Sequence, residues 1–157
     1  MGQLNLSSGV ELKGTGAYLQ QTGTGSTPLV HATAPATTQG LTDATWTKNT
    51  WLTGEVIDSD GAYSSSRFTV PSGRGGYYYI STAVNLYGND NNIRSAWVAI
   101  YKNGSKVIQS YNVVFSTSSS GLRHITCSAE GILSLNGGDY IEQYMYLDVN
   151  SGVLYMS

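Results

Sequence analysis

His124 and Cys127 carry the two side chains that, in the right geometry, make a base and a nucleophile. They lie three apart in Leu122-Arg123-His124-Ile125-Thr126-Cys127, a run that reads as a strand. Side chains an odd number apart in a strand point to opposite faces, so these two make a poor catalytic pair. His31 is far away in a stretch rich in Pro and Thr. Two His and one Cys do not complete a four-ligand zinc site without carboxylates. Asp58-Ser59-Asp60-Gly61 opens like a calcium loop but lacks the third oxygen residue and the closing Glu. A solvated turn is expected there, with weak calcium at it, or at Asn89-Asp90-Asn91-Asn92, as the alternative. Gly14-Thr15-Gly16 and Gly23-Thr24-Gly25 lack the strand-to-helix context of a phosphate cradle. No enzyme is expected, and no cofactor or metal.

Composition narrows the classes that remain. Only 11% of the 157 residues are charged, against roughly 25% in an average domain. The net charge is −2 and there is no basic cluster, so nucleic acid is not an expected partner. No run is long and apolar enough to span a bilayer, and MGQLNLSSGV does not read as a secretory signal. Cys127 is the lone cysteine; it reads as a small packed hydrophobe and allows no intrachain disulfide.

The elements that must position these residues read as strands. Gly, Ser, Thr and Tyr are abundant, Lys and Glu are scarce, and no segment keeps a helical period. Ala96–Tyr101 is a buried strand, followed by Lys102-Asn103-Gly104-Ser105, where Asn-Gly signals a tight hairpin. Lys106–Phe115 is its expected partner. Ile132–Leu135 ends in the turn Asn136-Gly137-Gly138-Asp139, and Tyr140–Val149 returns. There Ile141, Gln143, Met145, Leu147 and Val149 share one face, and Glu142, Tyr144, Tyr146 and Asp148 the other. Val153–Met156 is the last strand. Short strands at regular spacing predict an all-β antiparallel sandwich of two sheets over residues 41–157. Residues 1–40 differ: from Gly14 to Thr42 there is no Lys, Arg, Asp or Glu. Such a segment cannot build its own core and is expected to be an extended arm.

Gly76-Tyr77-Tyr78-Tyr79-Ile80 raises a separate question. Tyr78, Ile80 and Val84 share a face suited to the core, which leaves Tyr77 and Tyr79 on the other. Bare aromatics invite association, so either a neighbouring subunit or the chain's own arm is expected to cover them.

Arg67-Phe68-Thr69-Val70-Pro71 with Gly76–Ile80 resembles the signature of the complement first-component q-type head, which belongs to the jelly-roll superfamily of tumour necrosis factor. Trp97–Gly104 and Gly131–Ile141 are similar to two further motifs of that family, in the same order. The resemblance implies a jelly roll and a homotrimer in which one sheet of each subunit faces the three-fold axis. Tyr77, Tyr79, Tyr144, Tyr146 and Tyr155 are the residues expected at that interface.

The combination of a small jelly roll with an uncharged arm resembles a tailed-bacteriophage virion protein. The expected function is a trimeric decoration (cement) protein on the outer surface of a capsid, with the major capsid protein or another virion subunit as partner. Leu4, Leu6, Val10, Leu12, Tyr18 and Leu19 are the expected anchors of the arm. The alternative is a receptor- or glycan-binding tip of a fibre, with a host surface glycan as partner.

Overall fold

Asn103 and Gly104 adopt φ of 52° and 78°, the paired positive values that a tight type I′ hairpin demands. They join β10 (Ile93–Lys102) to β11 (Ser105–Gln109) at the predicted place. The partner strand is shorter than the sequence suggests. It breaks at Ser110 and Tyr111, and a separate short strand, β12 (Asn112–Val113), rejoins β10. Phe115 lies outside the described residues, which are 10–12, 19–21, 27–35, 38–88, 93–113, 122–150 and 152–156 of the computed structural model.

The described residues form strands and no helix. β13 (His124–Leu135) runs antiparallel to β9 (Gly76–Gly88) over its whole length, from His124 opposite Tyr87 to Leu135 opposite Gly76. β13 unites two stretches that the sequence reads separately, the run Leu122–Cys127 and the strand Ile132–Leu135. Gly131 lies between them; a side chain there would start 2.6 Å from Ile108 Cδ1, so glycine makes room for Ile108. β14 (Tyr140–Val149) pairs with β10 and, on its other side, with β5 (Thr47–Lys48) and β8 (Arg67–Thr69). β7 (Tyr63–Ser64) joins β8 through Ser65 and Ser66, both at positive φ without the Gly or Asn that usually marks such a turn.

Two antiparallel sheets result. One has the order β11-β10-β14-β8-β7 with β12 and β5 alongside; the other has the order β13-β9-β15-β4, where β4 is Gln39–Gly40 and β15 is Leu154–Met156. Between them lies the core, in which Leu86, Val98, Ile100, Leu135, Met145, Leu147 and Met156 are fully buried. The fold is an all-β sandwich, as the alternation along each strand implied, and a jelly roll, as the family resemblance implied. Two ribbons lie outside these sheets: β1 (Val10–Leu12) with β2 (Leu19–Gln21), and β3 (Val30–Thr33) with β6 (Gly54–Asp58). Hydrogen bonding between residues 1–40 and residues 41–157 therefore includes β3 with β6, outside the sandwich, and β4 with β15, within it.

Candidate functional site

The residues with catalytic potential are apart. His124 is exposed on one face of β13 and its ring stacks on Tyr87, centroids 4.5 Å apart. Cys127 points the other way into the core, where its Sγ donates to the Ala96 carbonyl and accepts from Asn112 Nδ2, each at 3.3 Å. Burial pushes its thiol pKa up, which favours an inert thiol over a nucleophile. Among the described residues no group of three His, Cys, Asp or Glu converges on one point.

The Asp58–Gly61 loop is closed by its own backbone. Asp58 Oδ1 accepts from the Ala62 amide at 2.8 Å and Oδ2 from the Tyr63 amide at 2.9 Å. Burial raises the Asp58 pKa, but these bonds and those from the Asp60 and Gly61 amides outweigh it, and the carboxyl sits below its usual value. Amide protons aimed at the carboxylate make the site complementary to its own charge, not an open cage of oxygens for calcium. Asn89–Asn92 lie outside the described residues.

What the two outer faces offer is surface for contact, and they differ. On the β10–β14 sheet, Trp97 stands opposite Tyr146 in the register, and the rings stack 4.4 Å apart. Tyr111 stacks on Trp97 from the other side at 4.9 Å, and Tyr101 stacks on Tyr144 at 3.9 Å. Trp46, from the stretch before β5, closes over Trp97, Tyr101 and Tyr146, with Lys106 Nζ 4.6 Å from its ring centre. This face is thus a second, external aromatic cluster that the chain largely covers itself. Beside it, Glu142 is 4% exposed although it points away from the core. Lys48 Nζ and Arg67 Nη2 each reach its Oε1 at 2.7 Å. Burial pushes the Glu142 pKa up; the two cations push it down further, and it ends below the ordinary value.

The β9–β13 face is left bare. Tyr77 is 81% exposed, Tyr79 66% and Ile132 69%. Ile132 stands opposite Tyr79 in the register, so the three form one patch. The Tyr79 hydroxyl donates to Glu130 Oε2, which fixes the ring against the sheet. Along the same face, Tyr87 stacks between His124 and Tyr155.

The five tyrosines expected at one interface therefore divide. Tyr77, Tyr79 and Tyr155 share the β9–β13 face; Tyr144 and Tyr146 lie on the opposite sheet, half-buried among other rings. Ile132 and Tyr87 belong with the first group and went unnoticed in the sequence, because only the register of β9 with β13 brings Ile132 to Tyr79. Of the anchor residues, Leu4, Leu6 and Tyr18 lie outside the described residues, and Val10, Leu12 and Leu19 fall in the β1–β2 ribbon.

This geometry defines a jelly-roll sandwich with aromatic side chains grouped on both outer sheet faces. Among solved structures, the chain is similar to Eiger TNF from S. frugiperda, with a TM-score of 0.50 and 11% identity over 81% of this chain and 88% of that one. At that identity the likeness concerns the fold: a tumour-necrosis-factor-like jelly roll. No protein-family model matches the sequence, and no curated protein does.

Proposed function

We propose that the protein is a structural virion subunit: a trimeric decoration protein that binds the outer surface of a bacteriophage head shell and stabilises it. The observation that carries this reading is the bare patch of Tyr77, Tyr79 and Ile132 on one face of the jelly roll. Large aromatics packed side by side on a flat sheet suit a permanent protein contact, since each buries much apolar area and keeps a polar tip. Closed symmetric assembly is the usual result of such a patch. The N-terminal region, uncharged from Gly14 to Thr42, suits an extended contact with the shell. Binding only to the assembled shell would stabilise it by mass action.

A second reading, a glycan-binding fibre tip, is favoured by one feature. Tyr111 ends the ring stack on the opposite sheet and is 65% exposed, with a free face on which a sugar ring could lie.

Co-sedimentation with empty phage shells separates these readings. The full chain should bind shells at a fixed stoichiometry, and a variant lacking residues 1–26 should not. Truncated protein that binds as well as the full chain removes the arm as anchor. Binding by neither, together with retention on a glycan array that is lost in Tyr111→Ala, replaces the first reading by the second.

A further inference from the structure

The sequence holds two Asn-Gly pairs, Asn103-Gly104 and Asn136-Gly137. An asparagine followed by glycine can react with its own backbone. The glycine nitrogen adds to the side-chain carbon Cγ of the asparagine and closes a five-membered ring. Glycine favours the reaction because no side chain blocks the approach and its backbone turns freely. All four residues are exposed, and hydrogen bonds between the two turns place both pairs at the same end of the sandwich. Their surroundings differ.

Asn103 is held at both ends of its carboxamide. Its Nδ2 donates to Asp139 Oδ1 at 2.7 Å, and its Oδ1 accepts from the Tyr140 amide at 2.9 Å. The Asn103 amide donates in turn to the Tyr140 carbonyl at 3.0 Å. The group that would have to rotate onto the Gly104 nitrogen is thus tied to the start of β14. The acceptor is a lasting one. The Asn136 amide, the Asn103 carboxamide and Lys102 hold the Asp139 carboxyl down at about 2, so it stays charged in any buffer near neutrality.

Asn136 is held through its main chain. Its amide donates to Asp139 Oδ2 at 2.8 Å, and its carbonyl accepts from the Asp139 amide at 3.0 Å. Among the described residues no hydrogen bond holds its carboxamide. The nitrogen that would attack it is bordered by another glycine: a side chain on Gly75 would start 3.6 Å from the Gly137 nitrogen. It is the next amide, that of Gly138, which donates to the Val70 carbonyl, at 2.8 Å. Packing also fixes the identity of Gly137. A side chain there would start 3.3 Å from the Gly73 nitrogen, the Pro71 carbonyl oxygen and Ser72 Cα. Close approach to the Pro71–Gly73 turn therefore keeps glycine after Asn136, and with it the reactive pair.

We propose that Asn136 is a site of spontaneous deamidation, and that the Asp139 clamp spares Asn103. The Gly137 amide gives its proton to hydroxide, and its nitrogen adds to Asn136 Cγ. The bond from Cγ to Nδ2 breaks, and ammonia leaves. Water then opens the resulting succinimide at one of its two carbonyls. One opening gives aspartate at this position. The other gives isoaspartate, in which the main chain runs through Cβ and is longer by one methylene. No oxidant or reductant takes part. The isoaspartate displaces the carbonyl that accepts from the Asp139 amide and sets a second carboxylate beside that of Asp139. The turn loosens where it is bonded to Val70, through the Val70 amide on the Asp139 carbonyl and the Gly138 amide on the Val70 carbonyl. That is the end of the sheet where Ser134 stands opposite Tyr77. The reaction is independent of what the protein binds.

The experiment is incubation of the full-length protein in warm, mildly alkaline buffer, followed by peptide mapping with a fragmentation that separates aspartate from isoaspartate. Both products should accumulate at position 136 at least about tenfold faster than at 103, because Asn103 must first give up two hydrogen bonds. In urea strong enough to unfold the chain the two rates should become similar. Asp139→Ala, with native circular dichroism, should speed the reaction at Asn103, whose Nδ2 loses its acceptor. Equal rates in the folded protein, a faster reaction at 103, or an Asn136 that stays intact when folded while it reacts in urea overturns the proposal. An Asn103 that Asp139→Ala leaves as slow as before overturns the clamp. In the purified isoaspartyl form the Val70 and Gly138 amides should exchange with solvent faster than in fresh protein, while those of Met145 and Leu147 on β14 keep their rates. Unchanged exchange at Val70 and Gly138 overturns the loosening of the turn.

Discussion

Replacing Tyr77 and Tyr79 together by Ser should dissolve the proposed trimer. At 81% exposure Tyr77 offers about 160 Å² of the roughly 200 Å² that a tyrosine can bury, and Tyr79, at 66%, offers about 130 Å². At about 25 cal/mol per Å², covering them completely would contribute about 4 and 3 kcal/mol as upper bounds. The hydroxyl, already engaged with Glu130 in Tyr79, and the cost of holding the rings both lower these figures. About 2 kcal/mol per ring is the reasonable expectation for a well-packed interface aromatic. The pair then costs each subunit about 4 kcal/mol, or close to a thousandfold in its association constant. Sedimentation equilibrium between 0.1 and 100 μM is the assay, where about these concentrations bracket a shift of that size. Wild type should be trimeric throughout and the double variant monomeric, with unchanged circular dichroism. A wild-type monomer, or a double variant that sediments as wild type does, would refute the assignment of this face to the interface.

Two further outcomes follow from the opposite sheet. Trp97→Ala removes the ring clasped by Tyr111 and Tyr146 under Trp46, and should destabilise the fold by about 2–4 kcal/mol in urea without changing the oligomer; a loss below about 1 kcal/mol would mean the cluster is not a structural unit. Glu142→Ala should cost about 2–3 kcal/mol, because Lys48 and Arg67 lose a buried partner but are themselves open to water. The Glu142 pKa is lowered on folding, so its contribution is complete above the unfolded carboxyl pKa and fades as pH falls through the lower folded value. Wild type and Glu142→Ala should therefore converge in melting temperature at acid pH; a constant gap down to strong acid would show that the carboxylate charge is not what matters.

Local patterns in the sequence determined the strands and the faces of those strands. Asn103-Gly104 marked its hairpin because few residue pairs tolerate two positive φ values. The alternation in Tyr140–Val149 sorted the two faces of the strand because a strand has no other way to divide its side chains, but it did not show that Glu142 on the outer face would be buried under Lys48 and Arg67. The Ser65-Ser66 turn was invisible for the same kind of reason: its residues carry no conformational preference that announces it, and tertiary pairing of β7 with β8 imposes the bend. Which face met what was decided only in three dimensions. Tyr144 and Tyr79 look alike in the sequence, each an outward tyrosine on a strand. Tyr101 stacks on Tyr144, with Trp46, distant in the chain, against Tyr101, and nothing described covers Tyr79. Register placed Ile132 beside Tyr79, and put Tyr155 of β15 opposite Tyr87 of β9. Those are relations between strands, set by long-range pairing, and a sequence encodes them only through the packing of the whole sandwich.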